Sequence, residues 1–395
     1  MKILFLGYWG ANEGLSQATI NPHLEILSKI NKVHKIIYVS IERNRDVKFN
    51  IPVNSKIEHV PFNSIHQLRV FQKFYDFLSL PILIYKLTKK HKIQLVICRS
   101  SLAGGIGYLA SKLTRKPFTV ESFEPHADYM RSLSIWNKYG LSYLIQKYLE
   151  LKQKKTALFL MPVSYQEKLN LLESHIKEER IFVMPCAVQV SKFEYSSSAR
   201  NEVRVDLNLL PKHTVGVYSG KFGGLYLDSD AYLIFKKMFS NIPNFFLIIL
   251  TSENKHSIIS QLNKVGIQED SVLIKFVPHN QVSNYLSAAD FAFSLHRPTS
   301  FSHAFSPIKN GEYWANGLPI LSTPQIGDDS KLIEDNNVGV ILNNQNEVNL
   351  EELRRLINKR KKHPTELSVV TKKICATHRD FRLIEGVYRK ILKSL

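Results

Sequence analysis

The chain has 395 residues, 44% of them hydrophobic, with 53 Lys and Arg against 34 Asp and Glu for a formal net charge of +19. Length and composition suit two globular domains of about 100 to 200 residues each and exclude a disordered or low-complexity chain. The most apolar later run, Phe77 to Tyr85, contains Pro81 and falls well short of the roughly 20 residues that span a bilayer, and Cys98, Cys186 and Cys375 lack metal-like spacing, so buried reduced thiols in a cytoplasmic protein are expected.

The run Lys2 to Tyr8 (KILFLGY) reads as a first strand, too short and wrongly flanked for a signal peptide. It leads into Gly10 to Ser16 (GANEGLS), with a helix expected from Leu15. Gly14 then sits where a helix N-terminus can face a phosphate. The spacing is not the GxGxxG fingerprint, and position after the first strand is what singles the loop out. His34 to Ile41, Leu95 to Ser100, Pro117 to Phe123 and Ala157 to Val163 read as further buried strands with helices between most of them. Such alternation implies right-handed crossovers and a parallel sheet with helices on both faces. Ser164 and Glu167 have capping-box spacing at the next helix.

Basic charge is concentrated in the first half, 29 Lys and Arg against 15 Asp and Glu through residue 200, compared with 24 against 19 afterwards. Ile65 to Lys92 interleaves Phe71, Phe74, Tyr75, Phe77 and Tyr85 with Arg69, Lys73, Lys86, Lys89, Lys90 and Lys92. A segment of this kind suits an anionic membrane surface, with the protein peripheral on the inner face. The alternative is two ordinary helices broken at Pro81, their aromatics in the core and their lysines solvated. Nucleic acid is not expected as a partner, since no zinc-finger spacing, RNP-like strand or helix-turn-helix signature accompanies the charge.

Two strand ends of the first half carry candidate chemistry. Arg99 closes LVICRS, and Glu121 to Met130 (ESFEPHADYM) gathers Glu121, Glu124, His126 and Asp128. Arg99 and the three carboxylates are acceptor-side candidates. A histidine among carboxylates in a strand-end loop is a candidate functional group, although a lone histidine also serves structurally.

After the hinge at Ile181 to Phe193 the pattern repeats, with strands at Thr214 to Gly220, Phe245 to Leu250, Ser271 to Val277, Asp290 to Leu295, Leu318 to Thr323 and Val338 to Leu342. Gly220 and Lys221 follow the first of these, and His279 follows the third. Asp228 and Asp230 spell DxD, but at a helix N-terminus, where capping explains them. Neither they nor the fourteen histidines imply a metal site. The most informative stretch is Ser306 to Ile320 (SPIKNGEYWANGLPI). A helix starting at Pro307 presents unpaired amides to a phosphate, with Ser306 and Lys309 in or beside its first turn. One turn on, Glu312 can accept the hydroxyls of a ribose, or it is a surface glutamate on an amphipathic helix.

In this stretch Glu312, Ala315, Gly317, Pro319 and Ile320 fall in step with the donor motif of GT-B glycosyltransferases, and the segment resembles that of the retaining family 4 group. Met184 to Phe193 (MPCAVQVSKF) resembles the linker between the two domains of such enzymes, with Cys186 and Ala187 replacing Asn-Gly. The resemblance implies an α/β chain of two facing Rossmann-like domains with an interdomain cleft. Residues 1–190 with the helix 378–395 would form the acceptor side, and residues 191–377 the nucleotide-sugar side. It implies a hexosyltransferase-type enzyme (EC 2.4) that moves a sugar from a nucleoside diphosphate sugar to a glycan or lipid-linked glycan in surface polysaccharide biosynthesis, with no cofactor and no metal. Gly14, Gly220, Lys221, His279, Ser306, Pro307, Lys309 and Glu312 are then donor-binding, and His126, Lys221 and Glu312 catalytic. The chain departs from the motif at Ala304, where many members carry a glutamate, so the sugar contact would pass to Ser302, His303 or a backbone amide. An epimerase or phosphorylase of the same fold, or an inactive nucleotide-sugar-binding protein, remain the alternatives.

Overall fold

Short β-branched runs separated by helices condense into two parallel sheets. The computed structural model describes residues 1–44, 48–64, 69–343 and 345–395. The start of the basic aromatic segment, residues 65–68, lies outside these, as do the side chains of Arg69 and Phe71. By internal contacts the chain divides into two compact units, Met1–Cys186 with Phe381–Leu395, and Ala187–Asp380. The divisions fall at 186/187 and 380/381, against the expected 190/191 and 377/378.

The first unit holds β1 (Lys2–Gly7), β2 (Lys35–Glu42), β3 (Ile57–Asn63), β4 (Leu95–Arg99), β5 (Phe118–Phe123) and β6 (Leu160–Pro162), in the order β3-β2-β1-β4-β5-β6. Of these, β3 was not anticipated: Pro61 interrupts its sequence and most of it is half-buried, as suits a strand at a sheet edge. Leu4, Leu6, Ile37, Val39, Val96 and Cys98 point to one core, while Ile3, Phe5 and Ile36 on alternate positions are equally buried on the other face. Each such side chain contributes roughly 1.5 to 3 kcal/mol of burial.

The second unit holds β7 (Thr214–Ser219), β8 (Phe245–Leu250), β9 (Val272–Lys275), β10 (Phe291–Ser294), β11 (Ile320–Ser322) and β12 (Gly339–Ile341), ordered β12-β11-β10-β7-β8-β9. Counted within its own unit, each sheet has the same 3-2-1-4-5-6 order, the doubly wound arrangement whose strand order reverses beside the first strand. The reversal lies between β1 and β4 in one unit and between β7 and β10 in the other. Crossovers there diverge to opposite faces and leave a crevice at the strands' carboxyl ends, where ligands bind.

Local chemistry matches in places and departs in others. Ser164 caps its helix, its hydroxyl accepting from the Glu167 amide at 3.1 Å. Pro81 does not break the basic aromatic segment: Arg69–His91 is one helix with the proline inside it. Asp228 stands at the start of the helix Ser229–Asn241 but makes no side-chain capping bond, so the capping expected for DxD is positional only.

Candidate functional site

In the second unit the helix Ile308–Asn316 starts after Pro307 and ends at Gly317, whose φ of 87° closes it in a left-handed cap that favours glycine. Its residues from Lys309 to Asn316 are all buried. The entry is locked by a polar cluster that the sequence did not reveal. Arg379 donates to the Ser306 hydroxyl and to an Asp329 carboxylate oxygen, and Asn310 donates to the other Asp329 oxygen at 2.8 Å. Arg379 lies far along the chain, at the end of the helix Pro364–His378, so no local spacing links it to Ser306.

Lys309 is the unusual group. It is 6% exposed, and its ammonium has no hydrogen-bond partner among the described residues. Instead it lies 4.1 Å from the ring centroid of Tyr226 and 5.0 Å from that of Tyr218. Ring faces attract a cation but replace only part of its hydration. Burial therefore pushes the amine down to about 7, against the pull of Glu312 in the other direction. The Lys309 ammonium also abuts the turn after β7, where a Cβ on Gly220 would approach it to 2.8 Å and where φ is 140°. The positive φ favours glycine at position 220, and the absence of a Cβ leaves room for the Lys309 ammonium beside the turn. His296, just past β10, is buried, and burial, then Lys309, holds its imidazole well below the ordinary range. A lysine amine with no hydrogen-bond partner among the described residues consequently sits at the β7/β10 reversal, where a neighbouring anion would favour its charged form. Such a place selects for an anion.

Glu312, 5% exposed, meets His279 at 2.8 Å between Oε1 and Nε2. The hydrogen bond to Glu312 raises the His279 imidazole, with burial opposing it. The sequence marked His279 only by its place after a strand; the structure makes its side chain the partner of the carboxylate. Tyr313 extends the same frame, its hydroxyl accepting from the Ser219 amide at 3.1 Å. Lys221 is exposed, and its carbonyl accepts from the Tyr218 hydroxyl, so the cation that the fold buries beside β7 is Lys309. Ala304 is 2% exposed, and the Ser302 hydroxyl accepts from the Thr299 amide at 2.8 Å within its own turn. An open pocket of about 350 Å³ at the ends of β8 and β9 is lined by Thr251, Glu253, Lys275 and Phe276.

The first-unit candidates separate into three groups. Arg99 and Glu121 are 4% and 0% exposed and meet each other at 3.1 Å, with His23 3.3 Å from Glu121 and the Tyr388 hydroxyl donating to it. They bind one another and the C-terminal helix rather than an open surface. Near the end of β5, His126 Nδ1 meets Glu124 Oε1 at 2.8 Å and its ring packs edge-on to Trp136. Asp128 pairs with Lys147 and accepts from the Tyr143 hydroxyl at 3.0 Å. Beneath them Glu150, which sequence reasoning missed, accepts from the Ala127 amide at 2.9 Å, and burial pushes its carboxyl up to about 7. The signal was Gln146, Glu150 and Gln153 at buried helical spacing. Gly14 opens the six-residue helix Gly14–Thr19, and the loop's Gly10 and Ala11 amides already donate to Glu13 and Glu42.

The fold is the GT-B fold, two Rossmann-like units. Over their full lengths, the chain and sucrose-phosphate synthase from Thermosynechococcus elongatus superpose with a TM-score of 0.71 at 14% identity. Anabaena HepE, solved with UDP and glucose, gives 0.69 at 16% identity over all of both chains. WaaG, a glycosyltransferase involved in lipopolysaccharide biosynthesis, gives 0.70 at 14% identity over 99% of each. No protein-family profile and no curated protein sequence matches the chain.

Proposed function

We propose that the protein is a retaining glycosyltransferase that moves a hexose-type sugar from a nucleoside diphosphate sugar to a glycan or lipid-linked glycan, in surface polysaccharide assembly at the cytoplasmic face of a membrane. The observation that carries this reading is the buried Lys309 amine at the β7/β10 reversal, without a hydrogen-bond partner among the described residues, with Glu312 one turn further along the same helix. Lys309 neutralises the diphosphate and Glu312 accepts the ribose hydroxyls. Preorganised charge aimed at a leaving diphosphate stabilises the transition state more than the ground state. Lys221, exposed at the adjacent turn, adds a second cation, and His126, held by Glu124, serves the transferred sugar. The acceptor oxygen bonds to the anomeric carbon as the bond to diphosphate breaks, and the acceptor proton passes to a leaving phosphate oxygen. No metal or cofactor is needed for that balance. Relatives in fold support the donor class, since HepE was solved with UDP and with UDP-glucose.

The test is thermal stabilisation of the wild type, Glu312→Ala and Lys309→Met by UDP, GDP, ADP and CMP, followed by turnover of the nucleotide sugar that binds. Selective stabilisation of the wild type by a nucleoside diphosphate is expected. Stabilisation by none of them, or equal stabilisation of all three proteins, overturns the donor site. Ala304 favours a second reading, a protein that binds a nucleotide sugar without transferring it. Binding with no turnover in the presence of an acceptor extract selects that one.

A further inference from the structure

The helix Leu141–Thr156 of the first unit is built inside out. Tyr143, Gln146, Glu150 and Gln153, at helical spacing, form its buried face together with a single aliphatic side chain, Leu149. Its outer face presents Leu141, Leu144, Ile145, Tyr148 and Leu151, between 49% and 76% exposed. An ordinary surface helix has the reverse polarity. The helix Arg69–His91 repeats the outward pattern: beyond a buried stripe of Leu80, Ile84 and Leu87, it exposes Phe74, Leu78, Ile82 and Tyr85 at between 39% and 65%. Both helices pack on the helix Ser101–Thr114, where Phe77 and Leu149 flank Gly105. Lys73 lies 5.2 Å from the ring of Trp136, joining the first helix to the segment that precedes the second. Single exposed apolar residues are ordinary, but two such stripes flanking one helix form a contiguous surface that water solvates poorly.

The charge around this surface is one-sided. Residues 72–92 and 135–156 together contain ten lysines and two carboxylates, Asp76 and Glu150. Both carboxylates are buried, at 0% and 3% exposure, so these two stretches expose no acid. Lys89 and Lys152 lie over the rings of Tyr85 and Tyr148 at 5.7 and 5.0 Å, with their stems along the apolar stripe and their heads beside it. No helix among the described residues is long and apolar enough to cross a membrane.

We infer that this face of the first unit docks on an anionic phospholipid bilayer, with the outer stripes of Leu141–Thr156 and Arg69–His91 in the headgroup layer and the lysines against lipid phosphates. Apolar side chains supply the burial, and cations beside them fix the charge of the partner. The surface would bring the protein to the lipid-linked acceptor proposed above, and it rests on that reading for its use but not for binding itself.

The experiment is co-sedimentation of the full chain with vesicles of phosphatidylglycerol and phosphatidylcholine in equal parts, against pure phosphatidylcholine. Three proteins are compared: the wild type, the triple variant Leu144→Gln, Ile145→Gln, Tyr148→Gln, and the triple variant Lys86→Gln, Lys89→Gln, Lys90→Gln. All six positions are exposed, and unchanged melting and unchanged stabilisation by nucleotide check that both units remain folded. Wild type is expected to bind the anionic vesicles and to release them as salt rises, with the lysine variant weaker by roughly a hundredfold and the apolar variant by at least about tenfold. Absence of binding to anionic vesicles at low salt overturns the inference. Undiminished binding by the apolar variant overturns it too, because charge adhesion alone would then explain the result. A dimer of the wild type that the apolar variant abolishes, without lipid, would show that a second copy covers the face instead. Nucleotide stabilisation is read separately, so a failed donor site and a failed membrane face give different patterns.

Discussion

At the residue scale, Lys309 carries the functional argument and also the sharpest consequence. Its folded-state amine gives up its proton near 7, while the unfolded value is 10.5. The unfolded chain therefore binds more protons between those limits, and stability from this residue rises with pH across that window and is least below it. A diphosphate beside the amine favours the ammonium, so binding restores the proton. Calorimetric titration with UDP at about pH 8 in buffers of different ionisation enthalpy should show uptake of up to about one proton, vanishing near pH 6, where the amine is already charged. Lys309→Met should abolish the uptake. Buffer-independent enthalpies at both pH values in the wild type would mean that the anion does not meet Lys309. The sequence showed Lys309 and Glu312 one turn apart because helical periodicity is local. It did not show Tyr218 and Tyr226, whose rings hold the ammonium, because neither is near Lys309 in the chain.

At the scale of elements, a buried carboxylate ties the helix Ser197–Asp206 to the second sheet. Asp290 accepts from Arg200 at 2.6 Å, from Arg204 at 2.9 Å and from the Val215 amide at 2.8 Å. Replacing it with alanine leaves the strand amide without its acceptor and two guanidinium groups without their carboxylate, held only by the carbonyls of Ser287, Ala288 and Ala289. Loss of about 3 to 5 kcal/mol is expected for breaking a buried pair from one side, read as a fall in the urea midpoint of the second unit. A change within a few tenths of a kcal/mol, the scale of ordinary surface substitutions, would show that water replaces the carboxylate. DFAFSL was legible as a strand because its apolar residues run together. The role of Asp290 was not, because its partners lie more than seventy residues away.

At the scale of the whole molecule, the last helix, Phe381–Lys393, completes the first unit although it follows the second in the chain. Ile384, Tyr388, Ile391 and Leu392 are buried, and Tyr388 reaches both His23, at 2.7 Å, and Glu121. Burial pushes the His23 imidazole down, so Arg99 is the cation facing Glu121. Ending the chain after Asp380 uncovers that apolar face and removes the hydroxyl from a buried carboxylate. Calorimetry should show a lowered transition for the first unit, with the nucleotide-stabilised transition of the second unit retained. Tyr388→Phe should cost about 1 to 3 kcal/mol, the penalty of a buried group left unsatisfied.

The sequence alone determined eleven of the twelve strands among the described residues, the helix at Pro307 and the one-turn spacing of Lys309 and Glu312 along it, because strand and helix periods are written in neighbouring residues. Tertiary structure decided what each polar group faces. It turned Arg99 and Glu121 inward, gave Glu312 to His279, left Lys221 exposed and buried Lys309 without a hydrogen-bond partner among the described residues. Exposure and partnership depend on which distant elements pack against a residue, and the electrostatics follow from that packing.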